Sequence, residues 1–249
     1  MRQSNLYVLI FTAIMTIVIG GALSVTNQVL KPAQLKSIEL DAKTSILAAV
    51  MTINKDEDDV LAIYEAQIKG LVVDINGNEI TTNDKGEPVL ADKVNILRNF
   101  KKDPAEREYP VYKFSSAQNQ GAVEAYIFPL YGSGLWNGIF GYLALEDDLN
   151  TIKGISFGHV AETPGLGARI ATPEIQDRYI GKTIFDKNGN LTSVTMQKGE
   201  KRDPSAFGEH EVDGMSGATL TAKGVNAMLD QYLRSYEKYI KNVQKQESI

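Results

Sequence analysis

A segment favourable for a phosphate lies directly before the last helical pattern of the chain. It reads DGMSGATLT, from Asp213 to Thr221. Ser216 is a plausible N-cap residue, and Gly217 and Ala218 are small enough for a ligand to approach the backbone. The unpaired amides and the positive dipole end at a helix start favour a bound phosphate. By capping statistics alone, however, the segment is an ordinary capped helix start.

A second segment, ETPGLGAR, runs from Glu162 to Arg169 and precedes the first by about 50 residues. Pro164, Gly165 and Gly167 predict a sharp turn with a low profile. On its own this segment is weak evidence for a site, because such turns commonly connect two strands. The two segments, in this order along one chain, are stronger evidence for a functional site than either segment alone.

The only tryptophan, Trp136, lies in a third segment, PLYGSGLWNGIFGYLALEDDLNTIKGI, from Pro129 to Ile155. Tryptophan buries a large apolar area. We therefore expect Trp136 to be a core or interface residue rather than a ligand contact.

Together the segments resemble the motifs of a family of FMN-binding domains found in Na+-pumping NADH:quinone reductases and their Rnf relatives. DGMSGAT is similar to the flavinylation motif of that family. The resemblance implies that Thr219 takes FMN through a phosphoester to its side-chain oxygen. It also implies a separate Mg2+-dependent flavin transferase, which moves the flavin from FAD and reads the motif, including the aspartate that matches Asp213.

The same resemblance implies which residues contact the flavin. ETPGLGAR resembles the loop that packs on the flavin ring, with backbone amides and the apolar face of Leu166 against the flat isoalloxazine. Glu162 could tune the protonation or the redox potential of the flavin, or merely cap a turn. The chain departs from the family where Ala168 and Arg169 replace a frequent second glycine or acidic residue. The implied cofactor-binding residues are Thr219, Ser216, Gly217, Ala218, Asp213, Glu162, Thr163, Gly165, Leu166, Gly167 and Trp136.

The GSGLW element indicates the branch of the family. It resembles the segment typical of the C subunit of the Na+-pumping reductases, which the G subunit of Rnf generally lacks. Two alternatives stay open at this point. One is the G subunit of an Rnf-type ferredoxin:NAD+ reductase, and the other is a non-flavinylated FMN-binding-like domain with a structural role.

The resemblance implies electron transfer within an oxidoreductase complex, with no catalytic acid or base in this chain. The covalent FMN would accept electrons from an iron–sulfur centre in a neighbouring subunit. It would pass them to a membrane flavin and so toward quinone, coupled to Na+ export. The implied partners are the other subunits of the complex and, during maturation, the flavin transferase. In such proteins the cofactor supplies the chemistry and the protein supplies its position.

The elements that would hold these residues include one membrane segment. From Leu6 to Leu30 the sequence has no charged residue, and about 20 apolar residues suffice to cross a bilayer. A cleaved signal sequence is the rival interpretation, but its apolar region is usually about 7–15 residues long. We therefore expect an uncleaved single-pass anchor. Arg2 and Lys31 flank it almost evenly, so charge leaves the orientation open, and the family implies a periplasmic flavin domain on the bacterial inner membrane.

The rest of the chain predicts an α+β fold. We expect an anchor over residues 1–30, a membrane-proximal helical and β subregion over 31–128, and an FMN-binding domain over 129–249. The first helix should break near Pro32, and the Asn-Gly dipeptide in GLVVDINGNEI predicts two short strands joined by a tight turn. An antiparallel sheet and a C-terminal amphipathic helix follow. The expected strands are YPVYKF, VEAYIFPLY, IFGYLALE, IKGISFGHV and TIFDKNGNLTSVTMQ.

Composition excludes several classes of function. The chain has no cysteine, which excludes disulfides, cysteine-ligated zinc and cysteine-bound iron–sulfur clusters. Its net charge is −5 and it has no Lys/Arg run, so nucleic-acid binding is not expected. His159 and His210 have no ligand spacing around them, and we expect no metal site. Lys182 and Lys198 are expected to be surface charges.

Overall fold

The computed structural model describes residues 4–54, 58–83, 85–119, 121–201 and 203–247. The chain divides into two compact units, residues 1–43 and 44–249. Its first helix, α1 (Asn5–Ala48), contains an apolar stretch long enough to cross a membrane, and none of that stretch is buried in the protein. This fits a single-pass membrane anchor. The predicted break near Pro32 is wrong, because Pro32 lies inside α1. Proline has a φ close to the helical value, so the helix continues through Pro32 although this residue donates no backbone hydrogen bond.

The second unit is built on a five-stranded sheet. The strands follow one another in chain order, and every neighbouring pair is antiparallel. The predicted α+β fold with an antiparallel sheet is thus confirmed. The strands are β1 (Ile68–Val73), β2 (Tyr109–Phe114), β3 (Ala125–Ser133), β4 (Gly138–Glu146) and β5 (Ile152–His159).

Both faces of the sheet are covered, as the middle strand β3 shows. Side chains point to alternate faces along a strand. Tyr126, Phe128 and Leu130 of β3 belong to one hydrophobic core, while Ala125 and Ile127 belong to a second core. This explains why β3 is an almost continuous apolar run rather than an apolar–polar alternation.

Helices supply the other side of each core. The first core includes the buried face of the last helix, α5 (Thr219–Glu247), and the second includes residues near the end of α1 and from α2 (Val60–Gln67). The expected amphipathic C-terminal helix is confirmed. Its buried residues include Val225, Met228, Leu229, Tyr232, Tyr236 and Tyr239. Two shorter helices are α3 (Ile96–Phe100) and α4 (Pro173–Gln176).

Two expected strand pairs are shorter than predicted. After the Asn-Gly turn, pairing is limited to a single bridge between Val73 and Glu79. In TIFDKNGNLTSVTMQ, the amides of Thr192 and Ser193 both donate to the carbonyl of Ile184, and Ser193 has a φ of +61°. This irregularity interrupts a hairpin ladder. The chain instead forms β6 (Thr195–Met196), which pairs in parallel with β7 (Glu211–Val212).

Candidate functional site

Thr219 is the first residue of α5 and is half-buried. The predicted N-cap role of Ser216 is wrong. The carbonyl of Ala218 accepts the first helical hydrogen bond, from the amide of Ala222, which places the cap at Ala218. Ser216 lies two residues earlier, and its side chain is exposed.

Two of the predicted segments meet beside Thr219. Gly217 has a φ of +74°, and a Cβ at this position would lie 2.9 Å from a methyl carbon of Leu166. A side chain at 217 would therefore be strained by the backbone and crowded by Leu166. Glycine at this position lets the loop before α5 pack against the TPGLG turn.

A cleft of about 210 Å³ lies between these segments. It brings together most of the residues expected from the sequence, and three more that sequence reasoning did not place there, namely Leu135, Leu220 and Thr221. The residues that line it are Leu135, Glu162, Thr163, Leu166, Gly167, Gly217, Ala218, Thr219, Leu220 and Thr221.

Glu162 joins three parts of this cleft. One carboxylate oxygen accepts hydrogen bonds from the amides of Leu135 (2.8 Å) and Trp136 (3.2 Å), and the other accepts from the Thr221 hydroxyl at 2.6 Å. The residue is only 4% exposed. A Cβ on Gly167 would lie 2.3 Å from the Glu162 carboxylate and 2.4 Å from the Thr221 hydroxyl oxygen. The second glycine of TPGLG is therefore required by the packing of Glu162 and Thr221, and it was the one sequence signal that could have indicated a side chain buried beneath the turn.

Trp136 is not a core residue, so of the two roles expected for it, core or interface, only the interface role stays a prediction. It is 68% exposed, and its indole N–H donates to the Thr163 hydroxyl at 3.3 Å. The GSGLW loop turns outward because its amides bond Glu162 beneath it, which leaves the indole on the surface. Leu166 and Leu220 are also exposed, at 42% and 56%. We call these three side chains the apolar rim, because Leu166 and Leu220 line the cleft and Trp136 contacts Thr163, which also lines it.

The cleft and its rim fit different parts of an FMN molecule. Cavities that enclose ligands of this size usually measure about 300 Å³ or more, so the cleft alone is too small for the whole cofactor. It can hold a phosphate beside Thr219, where the amides of the first helical turn have no acceptor within the helix. The rim offers apolar side chains to a flat ring.

Asp213 does not line this cleft. It is 7% exposed, and its carboxylate accepts hydrogen bonds from the amide of Lys201 (2.9 and 3.1 Å) and from the amide of Gly214 (2.9 Å). Asp213 instead borders a separate open cavity of about 560 Å³.

The remaining polar candidates lie elsewhere. Lys182 donates to the carbonyl of Gly208 at 2.8 Å, and Lys198 is exposed. The Nδ1 atom of His159 accepts from the amide of Glu162 at 3.3 Å, and His210 lies 2.7 Å from the carbonyl of Thr183. Within the described residues, no group of three or more His, Asp or Glu side chains is placed to hold a metal ion.

The chain is similar to known proteins over most of its length. Residues 134–234 match the family of the FMN-binding domain, a range that includes every residue of the cleft. A relative from Pseudomonas aeruginosa, the C subunit of its Na(+)-translocating NADH-quinone reductase, is 33% identical over 240 residues, which cover 88% of each chain. The protein of the same name from Neisseria meningitidis serogroup A is 32% identical and covers 88% of this chain and 84% of its own.

Solved structures have a similar fold. The crystal structure of the C subunit of the Na(+)-translocating NADH-quinone reductase from Parabacteroides distasonis superposes with a TM-score of 0.70 at 31% identity, over 85% of this chain and 96% of that one. A structure from Shewanella oneidensis has a TM-score of 0.66 at 23% identity, over 84% and 99% of the two chains. The second likeness concerns the fold alone.

Proposed function

The chain belongs to the family of the C subunit of Na(+)-translocating NADH-quinone reductases, and from that premise we propose that it carries FMN covalently on Thr219 as an electron carrier. Family membership makes it part of an oxidoreductase complex, with an FMN-binding domain. The observation that carries the finer proposal is the cleft in which Thr219 meets the TPGLG turn and the GSGLW loop.

The surroundings of Thr219 suit its modification. Its Oγ would form a bond to the flavin-side phosphorus of FAD while the pyrophosphate bond breaks, AMP leaves and the hydroxyl proton is lost. Gly217 and Ala218 add almost no side chain beside it, which leaves room for a flavin transferase. The positive end of the α5 dipole would stabilise the phosphoester charge.

The other residues of the site position the cofactor. We assign the phosphate end to the start of α5 and the ring end to the apolar rim of Trp136, Leu166 and Leu220. Bound FMN would supply one-electron oxidation and reduction. Glu162 holds the rim in place through the amides of Leu135 and Trp136. We also keep residues 129–249 as the flavin-binding part of the chain, with 31–128 as its membrane-proximal part.

The partners follow from the same proposal. Electrons would arrive from an iron–sulfur centre of a neighbouring subunit and leave for a membrane flavin, linking NADH oxidation to quinone reduction and Na+ export. The α1 helix would keep the carrier near these subunits, with the second unit on the periplasmic side of the inner membrane. The Rnf alternative is not retained, because the chain belongs to the C-subunit family of the Na+-translocating reductases.

Intact-mass spectrometry tests the attachment. The full chain, co-expressed with the transferase and purified in detergent, should gain the mass of one FMN less one water. Thr219→Ala should abolish this gain and the fluorescent flavin band in a denaturing gel. Thr195→Ala, at an exposed threonine of β6, is the matched control and should keep both. A wild-type chain without added mass would overturn the proposal and favour a non-flavinylated structural domain, and a covalent flavin retained by Thr219→Ala would overturn Thr219 as the attachment residue.

A further inference from the structure

An ion-pair cluster contacts the start of the DGMSGAT segment (Asp213–Thr219), which is called the modification segment below. We define the Glu200 cluster as Arg169, Arg178, Glu174 and Glu200. Glu200 lies 2.7 Å from Arg169 and 3.0 Å from Arg178, and Glu174 lies 2.8 Å and 3.0 Å from the same two guanidinium groups. The two carboxylates differ in exposure, since the side chain of Glu200 is 4% exposed and that of Glu174 is 58% exposed.

Glu200 and Arg178 also hold the backbone of the DGMS segment. Arg178 donates through one terminal nitrogen to the carbonyls of Asp213 (3.2 Å) and Gly214 (2.6 Å), and through the other to the Glu200 carboxylate at 3.0 Å. Asp213 in turn accepts from the amide of Lys201, next to Glu200. The segment that leads into Thr219 is therefore fixed through its main chain on the side away from the cleft.

The cluster reaches the other wall of the cleft as well. Arg169 follows the TPGLG turn and lies in the short 3-10 helix Gly167–Ala171. Its guanidinium makes two hydrogen bonds to Glu200, at 2.7 Å and 3.2 Å. The Glu200 carboxylate thus links the TPGLG turn, through Arg169, to the segment before Thr219, through Arg178, although the two are far apart in the sequence.

The hydrogen bonds between Glu200 and the two arginines are charged, and charged hydrogen bonds are stronger than neutral ones. Paired hydrogen bonds between a guanidinium and a carboxylate are shorter and stronger than neutral ones, and the enclosed position of Glu200 limits screening by water. Hydrogen bonds from Arg169 and then from Arg178 lower the pKa of Glu200 to about 2. The carboxylate therefore stays charged throughout the physiological range.

We propose that Glu200 is a positioning residue for flavin attachment, which aligns the SGAT segment with the TPGLG turn through Arg169 and Arg178. The inference rests on the proposed function and adds a residue that touches neither Thr219 nor the rim. Without the Glu200 charge, the largely exposed Glu174 would be the one remaining carboxylate of the cluster, and Arg178 would be held less firmly against the carbonyls of Asp213 and Gly214. The modification segment would then move relative to the turn, and Thr219 would be presented less often in the geometry that the transferase needs.

The test compares rates of flavin loading in full chains co-expressed with the transferase and sampled early by intact mass. Glu200→Gln should load about tenfold more slowly, as expected when a charged hydrogen bond is lost. Glu174→Gln is the matched control, because it removes an ion pair to the same arginines without touching the segment, and it should load at the wild-type rate. Amide hydrogen exchange should quicken at residues 201 and 214–216 in Glu200→Gln and stay unchanged in Glu174→Gln.

A conservative variant keeps the inference testable if Glu200→Gln does not fold. Arg178→Lys retains the charge facing Glu200, but one ammonium cannot reproduce the fork, in which one nitrogen reaches both carbonyls and the other reaches the carboxylates of Glu174 and Glu200. It should load more slowly than wild type while its melting temperature stays well above the assay temperature. Wild-type loading and exchange in Glu200→Gln, or wild-type loading in Arg178→Lys, would overturn the inference. A wild-type chain that acquires no flavin would instead overturn the proposed function.

Discussion

Two enclosed glutamates support the site in different ways. Glu200 faces two guanidinium groups, whereas the hydrogen bonds described for the Glu162 carboxylate come from two amides and a hydroxyl, which are all neutral. Glu162 therefore positions the GSGLW loop and Thr221 through neutral donors, while Glu200 holds charged partners within an ion-pair cluster.

The depressed pKa of Glu200 sets a pH window for its contribution to stability. Its value falls from an ordinary 4.5 to about 2 in the folded chain, so the unfolded chain binds more protons between these values, and stability falls as the pH falls. The difference in melting temperature between wild type and Glu200→Gln should be constant from about pH 8 to 5 and shrink as the pH falls from 4.5 toward 2. Thermal melts across this range measure it. A difference that already shrinks between pH 7 and 6 would contradict the assigned pKa.

At the scale of elements, the close packing of α5 on the sheet determines where Thr219 lies. Gly224 is one turn into α5, and a Cβ there would lie 2.4 Å from the carbonyl oxygen of Ser133, at the end of β3. Further along, a Cβ on Gly132 would lie 2.8 Å from the Cβ of Met228. The two glycines let helix and strand approach closely, which brings the start of α5 beside the GSGLW loop.

This approach gives a prediction in which two effects oppose each other. Helix propensity favours Gly224→Ala by about 1 kcal/mol, while overpacking against a backbone carbonyl costs about 1–3 kcal/mol. We expect a net loss of about 0–2 kcal/mol in the free energy of unfolding, measured by urea denaturation. Ala227→Gly, at an exposed position of α5, reports propensity alone and should lose about 1 kcal/mol. A Gly224→Ala chain more stable than wild type would show that α5 does not approach β3 this closely.

Elements with a regular pattern could be predicted from the sequence, and contacts between distant segments could not. The spacing of the apolar residues predicts the strands β2 to β5 and the helix α5. The 184–196 region did not follow its pattern, because Ser193 adopts a positive φ that residue type alone does not indicate. The cleft was predictable only through family motifs. The bond between Thr221 and Glu162, and the contacts of Glu200, join residues far apart in the chain, so no local spacing reveals them.

At the scale of the whole molecule, the chain combines an apolar helix with an independent hydrophobic core. Residues 44–249 form their own compact unit, and the large apolar side chains of α1 from Leu6 to Leu30 are exposed in the protein. A bilayer would cover them, since about 20 apolar residues match its hydrocarbon thickness. The flanking charges leave the direction of insertion open.

Reporter fusions test the proposed orientation. Alkaline phosphatase fused to the C-terminus of the full chain should be active, because this enzyme folds only after export. A cytoplasmic reporter, such as β-galactosidase, fused at the same point is the matched control and should be inactive. The reverse pattern would place residues 44–249 in the cytoplasm and contradict the periplasmic assignment.

The exposed indole of Trp136 gives the molecule a natural optical probe. It is the sole tryptophan of the chain, so light absorbed at the red edge of the protein's ultraviolet band is re-emitted from this one ring. A flavin bound at the apolar rim would absorb at the wavelengths of indole fluorescence. Resonance energy transfer from Trp136 to the flavin would then quench that fluorescence. The fluorescence intensity of this one indole thus reports whether the protein carries a flavin.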